Sequence, residues 1–139
     1  GNGTHALVAG DTTVYAFSMH GRKNYPFKKV AGTLDIELED GIGDDDYLEV
    51  LTKALPTVIS ESNPDIVFYL AGSDPHEGDK LGKMKLTFDG LARRDVMVIE
   101  SCRAIGLPTV VTVAGGYGKD IRDSVQVHVN TARICRDFS

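Results

Sequence analysis

Cysteine is scarce: the 139 residues hold two, Cys102 and Cys135, and no C-x-x-C pair. Both fall inside expected helices, so neither a disulfide framework nor a cysteine zinc cage is indicated, and a reducing, cytoplasmic setting is expected. Long apolar runs are missing too. The longest uncharged stretch, Ala104 to Gly118, is broken by Pro108 and several glycines and falls short of the ~20 apolar residues that a membrane span needs. No bilayer crossing is expected. Positive charge is not in excess: the net charge is −5, and Arg22, Lys23, Lys28, Lys29, Lys80, Lys83, Lys85, Arg93 and Arg94 are scattered rather than striped with aromatics. Direct binding of nucleic acid is therefore not expected. Gly1-Asn2 opens the chain without an initiator methionine or a basic and apolar leader, so no signal peptide is expected and the start reads as a cut. What is present is a globular composition, 42% apolar and 25% charged, at a length suited to one domain with a single core.

Thr13–Met19 is rich in β-branched and aromatic residues and predicts a strand ending at His20-Gly21. Leu34, Ile36 and Leu38 alternate with Asp35 and Glu37, which predicts a second strand with one wet face. Asp44-Asp45-Asp46 stands before Leu48, Leu51, Leu55, Val58 and Ile59. That spacing predicts a helix from about Asp45 to Ser62, with carboxylates at its positive end and a bend at Pro56. Ile66–Ala71 is a continuous apolar run between turn residues, as in a strand buried on both faces. Thr87 can cap a helix that carries Leu91, Val98, Cys102 and Ile105 inward and ends at Gly106; Thr109–Val113 is the next buried strand. A last helix is predicted over about Ile121–Arg136, with Val125, His128, Val129 and Ala132 inward. Strand–helix alternation of this kind calls for a parallel sheet of three or four strands with helices on its faces. So few strands are unusual for that architecture, and a partner could supply others.

Ligands of open parallel sheets bind outside the carboxyl ends of the strands. Three loops qualify: His20–Pro26, Gly72–Asp79 and Gly115–Gly118. The second packs Asp74, His76, Glu77 and Asp79 into six residues. Two readings stay open, a metal site or a turn in which Asp74 and Asp79 accept backbone N–H bonds and His76 sits in water. In the third loop, glycines around Tyr117 let a backbone approach a substrate, and the tyrosine hydroxyl could donate to an oxyanion or simply pack beneath a turn. His5 is expected to be exposed, and His128 to be an ordinary helix residue. Ser73 has no G-x-S-x-G elbow, so covalent catalysis is not expected.

Taken in order, these residues resemble a known family. Gly1-Asn2-Gly3-Thr4 is similar to the tail of a D-x-H-x-G-N-G-T signature, and Phe17-Ser18-Met19-His20 to the strand and loop that follow it. Asp40-Gly41-Ile42 with Asp46-Tyr47, Gly72-Ser73-Asp74 with Gly78-Asp79-Lys80-Leu81-Gly82, and Gly115-Gly116-Tyr117 complete the likeness. Together they resemble the zinc-dependent histone deacetylase superfamily, which includes acetoin-utilisation proteins and acetylpolyamine amidohydrolases. The resemblance implies an arginase-like α/β fold, a three-layer, mostly parallel sheet with helices on both faces, here incomplete.

It also implies roles. Asp74 would be a zinc ligand, and Tyr117 the donor to the tetrahedral oxyanion. Tyr25 and Leu81 would wall the acyl-lysine tunnel beside Gly115 and Gly116, and Asn2 would orient one of the family's paired histidines. Backbone carbonyls of Ser18 and Met19 would serve one potassium or sodium site, and those of Val8, Asp11 and Val14 a second. The family's other zinc aspartate, its zinc histidine and its base histidines would precede Gly1. Residues 1–139 then read as the C-terminal part of a deacetylase-like catalytic domain, inactive alone, from a bacterial, cytoplasmic hydrolase of acetyl-lysine or acetylated polyamines. An alternative is a non-catalytic binding or assembly module with the same sheet. Sheet edges left bare by truncation lead to an expected homo-oligomer.

Overall fold

The computed structural model describes residues 2–138. Its elements are α1 (Asn2–Val8), β1 (Phe17–Gly21), β2 (Leu34–Leu38), α2 (Asp44–Ser62), β3 (Val67–Ala71), α3 (Phe88–Arg103), β4 (Thr109–Val113) and α4 (Ile121–Asp137). The class is α/β with parallel strands. Instead of one sheet, the strands form two separate parallel pairs, β1 with β2 in the register Phe17 to Leu34, and β3 with β4 in the register Val67 to Thr109.

Local chemistry explains most boundaries. α2 starts after an extended Gly43 that supplies no side-chain cap, with three aspartates in its first turn to complement the helix dipole. Asn63 closes it in the left-handed conformation. Asp44 also accepts from the Thr87 N–H at 2.9 Å and the Thr87 hydroxyl at 2.6 Å, while Thr87 caps α3 by accepting from Gly90 N–H. The starts of α2 and α3 are thereby joined. Asp120 caps α4.

Several sequence expectations need correction. β1 begins four residues later than Thr13, because Thr13 is taken into a turn in which its N–H and hydroxyl both donate to Asp11. Its β-branched side chain carried no information about that bond. α3 stops at Arg103, and Ile105 is exposed beyond it. α4 buries Val127 and Thr131, whereas Val125, Val129 and Ala132 are exposed. Its phase is set by Thr131, whose hydroxyl donates to Asp95 of α3. β3 is not covered on both faces: Tyr69 and Ala71 point inward, while Phe68 and Leu70 are exposed.

The core gathers Leu48, Leu51 and Leu55 of α2, Leu91 and Val98 of α3 and Val127 of α4 with Leu38, Met84 and Leu86. Beneath β3 lies a buried polar group. Asp95, 1% exposed, accepts from Tyr69 Oη at 2.5 Å, Arg94 Nε at 2.9 Å and Thr131 Oγ1 at 2.5 Å. Arg94 Nη2 approaches Asp95 Oδ1 at 2.8 Å without an aligned hydrogen bond, and Arg94 Nη1 donates to Gly72 O at 2.8 Å. Four segments meet at this pair: β3, the Gly72 turn, α3 and α4.

Candidate active site at the carboxyl ends of β3 and β4

β3 and β4 run parallel and in register, so the loops that leave them emerge at the same end. Ser73 N–H donates to Gly115 O at 2.7 Å, the first bond between those loops. A Cβ on Gly116 would overlap Ser73 Oγ, and one on Gly82 would overlap the carbonyl oxygen of Asp74. Close approach to backbone requires glycine at 82, and the φ of +156° favours it at 116.

Asp74 sits half-buried just past β3. Burial pushes its carboxyl above the ordinary carboxylate value, against the opposing pull of the Arg94 guanidinium. Arg94, which also holds Gly72 O, therefore steadies both the strand end and the charge. Tyr117, 66% exposed, lies in the β4 loop.

Asp79 joins the two loops. Its Oδ1 accepts from the N–H groups of Leu81 and Gly82, and its Oδ2 from the N–H of Tyr117. Lys80 N–H donates to Tyr117 O at 3.2 Å and Lys119 N–H to Gly78 O at 2.9 Å. The structure thus brings Asp74, Leu81, Gly115, Gly116 and Tyr117 into one connected region.

His76 takes neither role weighed for it. It is 6% exposed, its ring centroid lies 4.3 Å from that of Phe88, and its Nδ1 accepts from Gly78 N–H at 3.2 Å. The Pro75 turn aims it at the start of α3 rather than into water. Among the described residues no group of three or more His, Cys, Asp or Glu side chains converges as a metal site. These residues alone do not fit a four-coordinate zinc, for which Asp74 is a single donor.

The remaining candidates lie near β1. Tyr25 is exposed, edge-to-face with Phe27 at 6.3 Å. A cleft there is lined by Asn2, His5, Ser18, His20, Tyr25 and Asp35, among others. Asn2 Oδ1 accepts from Val30 N–H at 2.7 Å, and His5 Nδ1 lies 3.1 Å from Val30 O. His5 is buried, not exposed as expected, because α1 turns it onto the 30–32 segment. Ser18 Oγ is 3.0 Å from His20 Nδ1, and burial lowers the His20 pKa. Met19 lies within β1. Val8 O and Asp11 O accept from Asp11 N–H and Val14 N–H in successive turns. Gly1 lies outside the described residues.

Sequence reasoning missed the Arg94–Asp95 pair. The available signal was two adjacent opposite charges between Leu91 and Val98 on a predicted apolar helix face.

The model of the histone deacetylase domain matches residues 1–132. An uncharacterized protein of Picosynechococcus sp. is 43% identical over 137 residues, covering 99% of this chain and 46% of that protein. Histone deacetylase 2 of Arabidopsis thaliana is 34% identical over 133 residues, covering 91% and 34%. The solved structure of the histone deacetylase Clr3 superposes with a TM-score of 0.73 at 24% identity, covering 96% of this chain and 24% of that one, a likeness of fold. The chain spans less than half the length of these relatives. By its sequence and its fold, it belongs to the histone deacetylase family.

Proposed function

We propose that residues 1–139 are the C-terminal part of a longer zinc-dependent deacetylase that hydrolyses the amide of an acetylated lysine or acetylated polyamine. The observation that carries this reading is the cross-tied pair of loops, one with Asp74 and one with Tyr117, in a chain matched over residues 1–132 to the deacetylase domain.

Asp74 would contribute one zinc ligand in the longer protein, and the ion would supply Lewis acidity there. Its other ligands and the base lie outside these residues, so the 139-residue chain does not turn over alone. The part assigned to this chain is orientation and charge stabilisation. The Tyr117 hydroxyl donates a hydrogen bond to the carbonyl oxygen as that oxygen gains charge. Tyr25 and Leu81 flank the acyl-lysine, and the backbone of Gly115 and Gly116 lets the substrate approach closely. The net charge of −5 favours a cationic amine. Asn2 would orient an upstream histidine, and the carbonyls of Ser18 and Met19 and of Val8, Asp11 and Val14 would hold potassium or sodium. The bared apolar residues Phe68, Leu70 and Val113 support self-association of the isolated chain.

The test is turnover of a fluorogenic acetyl-lysine peptide by the longer protein. Tyr117→Phe should lower kcat by ~10²–10³, the usual cost of one oxyanion donor, with KM little changed. Equal rates for the wild type and Tyr117→Phe would remove Tyr117 from the chemistry. No turnover by the wild type with zinc present would favour the binding-module alternative.

A further inference from the structure

We propose that Asp79 is the positioning residue that sets Tyr117 against the Asp74 loop, an inference that rests on the deacetylase reading above. Asp79 Oδ1 accepts from Leu81 N–H and Gly82 N–H, each at 2.7 Å. Those two bonds are an ordinary local turn of an aspartate onto the residues that follow it. Oδ2 is different: it accepts from the backbone N–H of Tyr117, 38 residues away, at 2.5 Å. A turn has no use for that bond.

The need for it follows from the sequence of the β4 loop. Gly115, Gly116 and Gly118 surround Tyr117 with residues that have no side chains to anchor, and the Tyr117 ring is largely exposed. Its position must therefore come from its backbone. A carboxylate accepting the tyrosine's own N–H is a charge-assisted bond, stronger than a neutral one. Lys80 N–H to Tyr117 O and Lys119 N–H to Gly78 O reinforce it. The other end of the carboxylate holds Gly82, which lies against the Asp74 carbonyl so closely that a Cβ would overlap it. Asp79 thus connects the backbone around Asp74 to the backbone of Tyr117 and acts through them.

The experiment compares Asp79→Ala, Tyr117→Phe and the double variant in the longer protein. Misplacing a catalytic group by ~1 Å can cost ~10²-fold, so Asp79→Ala should lower kcat by about one to two orders of magnitude, a larger factor than its change in KM. Asp79→Ala should cost a smaller factor in the Tyr117→Phe background than in the wild type, because its effect on turnover runs through the Tyr117 hydroxyl. Losses that multiply would overturn the inference. Amide hydrogen exchange gives a readout independent of turnover. In Asp79→Ala the Tyr117 amide should exchange faster while the amides of β3, β4 and α3 keep their protection. An unchanged Tyr117 amide would overturn the proposal even in an active enzyme. A freed Tyr117 amide in a protein whose wild type lacks deacetylase activity would uphold the tie and refute the deacetylase reading. Should Asp79→Ala fail to fold, Asp79→Ser, whose hydroxyl can keep a local turn bond to Leu81 N–H but has no second oxygen for Tyr117 N–H, carries the same exchange measurement with the same two outcomes.

Discussion

Replacing Asp95 by alanine should be among the most destabilising single changes in the chain. The side chain is 1% exposed and takes hydrogen bonds from Tyr69, Arg94 and Thr131. Its removal leaves the Arg94 guanidinium, itself buried, without its hydrogen-bonded counter-charge. Breaking a buried ion pair from one side costs about 3–5 kcal/mol, mostly because the surviving charge stays desolvated. The Tyr69 and Thr131 hydroxyls also lose an acceptor, although Thr131 keeps its bond to Val127 O. With a slope of about 1–3 kcal/mol/M in urea, 4 kcal/mol moves the midpoint by about 1–4 M. The assay is urea unfolding followed by far-UV circular dichroism. The double variant Arg94→Met with Asp95→Leu should recover most of the loss, because apolar replacements of a buried pair are often neutral. A loss below about 1 kcal/mol for Asp95→Ala, or a double variant as unstable as the single one, would refute the reasoning.

Three further outcomes follow. Burial raises the Asp74 pKa, so the fold holds its proton more tightly than the unfolded chain does, and ionised Asp74 opposes folding. Asp74→Asn should therefore raise the melting temperature at pH 7, with the gain shrinking as the pH falls toward the unfolded value; no gain at pH 7 would contradict this. Tyr15 donates to Glu61 at 2.6 Å, and its pKa is pushed up to about 12 by that bond first, then by desolvation and the neighbouring charge. Ultraviolet titration should place Tyr15 there and Glu61→Gln should bring it back toward the ordinary tyrosine value, whereas an unmoved titration would mean that the bond does not persist in solution. Thr87→Ala removes the α3 cap and the tie to Asp44 and should cost about 1–2 kcal/mol in thermal unfolding, against no measurable change if the cap is dispensable.

The parts of the fold readable from the sequence are those decided locally. The helical spacing of Leu48, Leu51 and Leu55, the Thr87 cap and the apolar runs before Gly72 and Ala114 specified α2, α3, β3 and β4 without help from the rest of the chain. The errors arise where distant residues decide. Thr13 is claimed by Asp11, and the phase of α4 is set by a bond from Thr131 to Asp95 across 36 residues. His5 and His76 are buried by segments that their own neighbourhoods do not announce, Val30 to Gly32 and Phe88. The site followed the same division. The positions of Asp74, Gly115 and Gly116 at strand ends were readable, but the residue pattern left a turn open for Asp74 and only the family resemblance gave the three of them roles, while the bond from Asp79 to Tyr117 depends on how two loops meet.

We propose that Asp74 and Tyr117 of this deacetylase-family chain are working parts of a zinc-dependent hydrolase. The most direct test is zinc content, measured by elemental analysis, together with acetyl-lysine turnover, for the longer protein and its Asp74→Ala variant. Near-stoichiometric zinc and turnover in the wild type, both lost in Asp74→Ala, are the predicted result. Zinc and turnover that survive the substitution would mean that Asp74 is not a zinc ligand.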